Sequence, residues 1–325
     1  MTDAKGKPDA GLELEQITCV VCGSAESAPL FTSRDLRYDF TPRDEFTLVE
    51  CARCGLRYVN PRPTERSLDL FYPDTYYRDR KEPPRVRRAP PSGLRRLYPP
   101  RAERVLQEKV RHARALAPAG GRVLEIGPAA GQCLEAMREA GYDVVGLERN
   151  PKMVEHIRNT LEIPCWRPDE FDPAGAGRVD LVVLWNVFEH LSDPVGMLTQ
   201  ARSFLRPGGG LVFSVPNAAA LEREVFFRGE SCEDVPRHLF SYSPQTVRAL
   251  LEKEGFTVER VVSVTRTAVS ELQERTERAL FRSPLGRPLK KVVYNFGVLP
   301  LIWAWDRGTG ALGRGHTLVV SARLR

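Results

Sequence analysis

Four cysteines of this 325-residue chain stand in two matched knuckles, "CVVCG" with Cys19 and Cys22 and "CARCG" with Cys51 and Cys54. Two Cys-x-x-Cys turns supply the four soft donors that tetrahedral zinc requires. Gly23 and Gly55 permit a tight reversal in which backbone N–H groups face the thiolates. A closed four-thiolate site has no open position, so the expected zinc is structural. An iron centre, or a ribbon that has lost its metal, are the alternatives. The ribbon itself reads either as a stabilising module or as a platform for substrate or nucleic acid. The total of seven cysteines is odd and four sit in tight pairs, which points to metal binding in a reducing cytoplasm rather than to disulfides. Cys133, Cys165 and Cys232 are isolated and read as packing residues.

The second chemical stretch is "RVLEIGPAAG" (122–131), where an apolar strand at 123–126 enters a bend of small residues and a helical pattern follows. A dinucleotide loop needs glycines at three set positions so that a pyrophosphate can sit on the helix N-terminus. Here Gly127 fits, but Ala129 and Gln132 occupy the other two positions, and a pyrophosphate is poorly served. A ligand bearing an ammonium group and a ribose suits the stretch better. Glu125 at the strand end matches the ammonium. Glu148, which closes the next strand 21 residues after Gly127, can accept two hydrogen bonds from ribose hydroxyls.

Around these residues the pattern from about 101 onward alternates helices and strands, the mark of a parallel sheet with crossover helices. "RAERVLQEKVRHARALA" places Val105, Leu106, Val110, Ala113 and Leu116 on one helical face. "YDVVGLE", "VDLVVLW", "LVFSVP", "FTVERVVSV" and "HTLVVSARL" read as strands, with "PGGG" turning the chain before "LVFSVP". Asn150-Pro151 reads as a helix N-cap, and Gly141 and Gly255 as helix ends.

In order and spacing, "EIGPAAG", "GLERNPKMVE", "FEHLSDP", "LRPGGGLVFSVPN" and "PRHLFSYSPQTVRALLEKEGF" resemble the class I S-adenosylmethionine-dependent methyltransferases. The likeness covers roughly 101–265 and the last strand. It implies an α/β fold, a Rossmann-like seven-stranded methyltransferase sheet behind a small N-terminal zinc ribbon. The stretch "DLRYDFTPRDEFTLVECARCGLRYVNPRPT" is similar to a bacterial subgroup with such a ribbon, whose members act on sugars, glycans or natural products. The resemblance implies S-adenosylmethionine as methyl donor, held by Glu125, Gly127, Ala129, Gly131 and Glu148. It also implies an acid after the third strand at the adenine, here Asp169 with Glu170 beside it, and Asn186 at the methyl-transfer channel. Trp185 lines that channel or is plain core. Some relatives with a Glu-His pair at positions 189–190 bind a divalent cation, but they use a further acid where this chain has Asn186, so no second metal is carried over. "WNVFEH" also lacks the Asn/Asp-Pro-Pro-aromatic pattern of enzymes that methylate base amino groups.

Methylating a hydroxyl or an enolisable carbon calls for a base, and imidazole suits neutral pH. His190 and His238 are the catalytic candidates, because both fall in loops beyond strand C-termini; the alternative for His190 is a cap at a helix start. His112, His156 and His316 read as surface residues. The domain reading is a flexible tail at 1–16, a zinc ribbon at 17–77, a Pro/Arg-rich linker at 78–100, and a methyltransferase domain at 101–325 interrupted by an insertion at about 266–314. The net charge of +6 is concentrated in the linker, which is either a solvated spacer or a contact for phosphates, an anionic membrane or nucleic acid. The insertion, basic and then apolar with two Trp, is either a packed helical subdomain or an interfacial segment. No transmembrane span or signal peptide is expected, which predicts a cytoplasmic protein, peripheral to the membrane if the insertion binds it. The leading expectation is methyl transfer to a small molecule or glycan. The alternatives are an RNA methyltransferase that uses ribbon and linker to grip phosphates, and a non-catalytic zinc-ribbon scaffold.

Overall fold

The computed structural model describes residues 11–35, 45–72, 101–172, 177–225, 234–264 and 299–325. The linker at 78–100, the 266–298 part of the insertion and Cys232 lie outside the described residues.

The N-terminal module holds β1 (Leu14–Glu15), β2 (Ser27–Ser33), β3 (Phe46–Cys51), β4 (Arg57–Val59) and β5 (Arg62–Pro63), then a short helix α1 (Glu65–Leu68) that runs into a 3-10 turn, Asp69–Phe71. Each knuckle closes on the same bond: the amide of Gly23 donates to the Cys19 carbonyl at 2.8 Å, and that of Gly55 to the Cys51 carbonyl at 2.9 Å. Within the expected tail at 1–16, the described residues include a paired strand. β1 pairs antiparallel with β5, Leu14 opposite Pro63 and Glu15 opposite Arg62. A two-residue strand carries no periodicity, and its partner lies far along the chain, so it leaves no mark in the sequence.

The second module begins with α2 (Arg101–Leu116) and continues β6 (Arg122–Ile126), α3 (Gln132–Glu139), β7 (Asp143–Leu147), α4 (Pro151–Asn159), β8 (Cys165–Trp166), β9 (Val179–Trp185), α5 (Pro194–Phe204), β10 (Leu205–Pro216), α6 (Leu221–Val225), β11 (Phe240–Ser241), α7 (Pro244–Lys253), β12 (Phe256–Val264), α8 (Leu299–Ala311) and β13 (Thr317–Leu324). Seven strands form one sheet in the order β12-β13-β10-β9-β6-β7-β8. β13 alone in that sheet runs opposite to the other six strands. The continuous apolar run of β9 is what a central parallel strand needs, since helices cover both of its faces. Caps follow the local chemistry. Asn150 accepts from the Lys152 amide at 3.0 Å, and Ser243 and Thr246 form a capping box. The "PGGG" segment does not precede its strand. It bulges within β10, where Leu205 lies opposite Val179 but Gly210 opposite Leu181.

The two modules share one interior. β11, from the second module, adds to the ribbon sheet in the order β11-β4-β3-β2, with Phe240 opposite Tyr58. One apolar cluster joins Cys19, Val49, Leu56 and Tyr58 to Leu124, Phe213, Phe240 and Leu250. Between them Arg237, wholly buried, donates to both oxygens of Asp35 at 2.7 and 2.9 Å and to Asp234 at 3.0 Å. Among the described residues no helix is long and apolar enough to cross a membrane. With a shared core and a buried ion pair across the junction, the described modules are expected to unfold in a single urea transition. Asp35→Asn, which leaves the guanidinium with Asp234 as its remaining carboxylate, is expected to cost about 3 kcal/mol by equilibrium denaturation.

Candidate functional site

The order of the sheet reverses between β6 and β9, and ligands of open α/β sheets bind at such a switch point, beyond the strand C-termini. The loops that leave these two strands face each other there and line a cavity of about 1300 Å³. Their approach is close: a Cβ on Gly127 would meet Val187 Cγ2 at 2.6 Å, and one on Gly131 would meet Leu161 Cδ1 at 2.6 Å. Both glycines have positive φ, +70° and +77°. Ala129 also sits at positive φ, 50°. A glycine is the natural occupant of that position, and alanine holds it at a cost of about 1 kcal/mol.

The bend is fixed by Glu148, whose two carboxylate oxygens accept from the Ala129 amide at 2.9 Å and the Asn150 amide at 2.9 Å. This carboxylate also lines the cavity. Glu125 is treated differently. It is fully buried beneath the loop, and burial pushes its carboxyl up to about 7 against the pull of Lys109 and a hydrogen bond from Cys133. Its Oε2 has no hydrogen-bond partner. A buried carboxylate oxygen left in this state suits an incoming ammonium. Lys109 was not singled out from the sequence. It lies on α2 with its ammonium 5.2 Å from the centre of the Trp185 ring, and it lines the same cavity. A signal existed: positions 106, 109, 110 and 113 share one helical face, so Lys109 interrupts the apolar stripe.

At the end of β9, Trp185 is buried with its indole N–H unpartnered. Asn186, at φ 56°, accepts from the Ser214 hydroxyl at 3.2 Å. The 3-10 turn Phe188–His190 follows. Here the fold brings together His190 and His238, with ring centres 4.6 Å apart and planes at 72°. Glu189, His190 and His238 place ligand-type atoms within 4.8 Å of one another. Glu189 is wholly buried and burial raises its carboxyl to about 8; burial also holds His238 well below the usual imidazole range. Neither Glu189 Oε2 nor His238 Nδ1 has a hydrogen-bond partner. At neutral pH the trio therefore offers a protonated carboxyl and a neutral imidazole, a set suited to moving protons. His190 Nδ1 lies 2.9 Å from the Tyr72 hydroxyl and 3.0 Å from the Arg237 carbonyl. Tyr72 belongs to the ribbon module, and no local pattern marks it.

Asp169 follows β8, lines the cavity and is exposed, paired with Arg167 at 2.8 Å. The three histidines expected at the surface are all half-buried: His156 on α4, His112 6.2 Å from Trp185, and His316 on the carboxylate of Glu222. Helix and strand patterns locate the backbone of these residues but not the neighbours that cover them. Cys133 and Cys165 are buried, and burial raises both thiols.

Away from the cavity, the sulfurs of Cys19, Cys22, Cys51 and Cys54 lie within 4.8 Å of one another. The Cys19–Cys54 and Cys22–Cys51 separations, 3.4 and 3.5 Å, are far too long for disulfides. They approach the edge of about 3.8 Å that a tetrahedron of Zn–S bonds of about 2.3 Å requires. Burial opposes ionisation of Cys51, but backbone amides of Cys54 and Arg53 and the neighbouring thiols outweigh it and bring that thiol down to about 7. The donor set and its spacing fit a four-thiolate metal site.

Residues 98–261, half of the chain, match a family model described as "Methyltransferase domain". A Mycolicibacterium smegmatis protein described as "Probable S-adenosylmethionine-dependent methyltransferase/" is 29% identical over 52% of this chain and 65% of its own length. The "Ubiquinone biosynthesis O-methyltransferase" of Cereibacter sphaeroides is 38% identical over 30% of this chain and 42% of its own. The chain thus spans less than two thirds of these curated relatives. Among solved structures, an S-adenosylmethionine-dependent methyltransferase from Mesorhizobium loti superposes with a TM-score of 0.42 at 18% identity, over 67% of this chain and 99% of that one. One from Archaeoglobus fulgidus gives 0.44 at 18%, over 71% and 97%. By the family match and by the order and direction of its strands, the chain belongs to the methyltransferase-domain family.

Proposed function

We propose that the protein moves a methyl group from S-adenosylmethionine to a hydroxyl or carbon of a small molecule, of the sugar, glycan or natural-product class. The observation that carries this reading is the joining of two half-sites in one cavity: the small-residue bend and Glu148 on one side of the switch point, with Glu125 buried behind the bend, and the two histidines on the other. When bound, the donor supplies an electrophilic methyl on a sulfonium sulfur. Glu125 takes the donor's ammonium, and with that its carboxyl loses the proton that burial otherwise makes it keep. Glu148, held rigid by two amides, accepts the ribose hydroxyls; Asp169 faces the adenine; Asn186 and Trp185 line the path to the acceptor. Gly127, Ala129 and Gly131 keep the bend small enough for close approach. Lys109, the cation beside Glu125, pairs with the donor's carboxylate. His190 or His238 takes the acceptor's proton as the new bond to carbon forms, and the other imidazole holds the acceptor in line. Names of relatives such as ubiquinone O-methyltransferase support transfer to oxygen of a small molecule. Cys19, Cys22, Cys51 and Cys54 hold a structural zinc ion.

Titration calorimetry of the full chain with S-adenosylhomocysteine is expected to show one site. In Glu148→Ala the affinity should fall about 100-fold, two hydrogen bonds to a charged group each contributing about 1.5 kcal/mol or more; undetectable binding by the wild-type chain refutes the reading.

The Glu125 carboxyl binds its proton more tightly folded than unfolded, so the folded state is favoured at low pH and its stability falls as pH rises from about 4.5 to about 7. Donor-free Glu125→Gln is therefore expected to show a shallower decline of Tm across that interval than the wild type. An equal slope in the two proteins counts against a buried, protonated Glu125.

A further inference from the structure

The proposed reaction assigns work to the histidines but none to the ribbon, although the ribbon closes one side of the same cavity through Glu65, Leu68, Asp69 and Tyr72. Its contacts with His190 are specific. The Arg237 carbonyl can only accept, so at 3.0 Å it requires a proton on His190 Nδ1. The Tyr72 oxygen, 2.9 Å from the same nitrogen, then stands as a second acceptor for that N–H. An imidazole with Nδ1 protonated in this way keeps its lone pair on Nε2 and is a base at that atom.

Both oxygens are fixed by the ribbon. Tyr72 is its own residue, next to Phe71, whose carbonyl accepts from Arg237 at 3.3 Å. The side chain of Arg237, the residue whose carbonyl faces His190, is held by both oxygens of Asp35. A ring thus runs from Arg237 to His190 and returns to Arg237 through Tyr72 and Phe71, with Asp35 clamping Arg237 from outside it.

We infer that Tyr72 is a positioning residue and that the ribbon, through Tyr72 and the Asp35–Arg237 clamp, selects the tautomer and orientation of His190. The inference rests on the proposed role of His190 as base, but its geometry does not depend on the identity of the donor. It also gives the ribbon a task at the cavity besides that of a stabilising clip: once His190 accepts a proton on Nε2, the two oxygens facing Nδ1–H stabilise the imidazolium, as an orienting acceptor does in other histidine bases.

The test uses the full, zinc-loaded chain labelled with 15N-histidine, with the His190 resonances assigned by their loss in His190→Asn. In the wild type the long-range proton–nitrogen pattern is expected to show Nδ1–H for His190 near neutral pH. In Tyr72→Phe the Nε2–H form should gain population. The titration midpoint should fall by about 0.5 unit, a threefold loss of proton affinity, the scale of one neutral hydrogen bond. Asp35→Asn, which loosens Arg237 without altering either ring, should shift both readouts in the same direction. Unchanged tautomer and midpoint in Tyr72→Phe, with zinc content and Tm equal to the wild type, overturn the inference, as does a wild-type His190 protonated on Nε2. Calorimetry with S-adenosylhomocysteine on the same samples separates the two ideas: failure to bind removes the donor reading, whereas the tautomer result judges Tyr72.

Discussion

A guanidinium wholly withdrawn from water sits at the centre of this molecule. Arg237 has no exposed surface, and removing such a charge from water costs several kcal/mol unless partners replace the hydration. Asp35 and Asp234 are those partners, one from each module. The guanidinium is stable only while both carboxylates are in place, so the ribbon is not a freely tethered appendage. It is docked wherever Arg237 is folded. The added strand β11 and the common apolar cluster reinforce the same junction with backbone hydrogen bonds and buried area.

That junction stands beside the cavity, and the carboxyl groups around it are held in different states by their surroundings. Glu148 accepts from two backbone amides. Glu125 and Glu189 are buried with too few donors and keep their protons to about 7 and about 8. Around the cavity stand a carboxylate aimed by two amides, a buried acid behind the bend and a second buried acid beside two imidazoles. In the proposed reaction these states are complementary. The donor's ammonium is the cation that Glu125 awaits, and the imidazoles lie across the switch point from it.

The small-residue bend after β6 shows how the backbone contributes. Its conformation calls for positive φ at 127, 129 and 131, and its approach to Val187 and Leu161 leaves no room for side chains at the two glycines. Alanine in the middle is tolerated with strain. The loop departs from the three-glycine form in sequence, yet Gly127, Ala129 and Gly131 all hold positive φ.

The sequence by itself determined the features that arise from neighbours in the chain. Periodic apolar residues specified the strands and helices because burial demands it at each turn or pleat. Cys-x-x-Cys spacing specified the knuckles, and the strand–bend–helix order placed Glu125, Gly127, Gly131 and Glu148 together. It located the backbone of His190 and His238 at loop ends without revealing that the rings touch. Tertiary structure alone decided that meeting, along with the pairing of Leu14–Glu15, the burial of His112 and His316, the position of Lys109 over Trp185, and the reach of Tyr72 to His190. The physical reason is distance along the chain. Tyr72 and His190 are 118 residues apart and Asp35 and Arg237 are 202 apart. A hydrogen bond across such a gap imposes no period and no spacing, so only the folded molecule displays it.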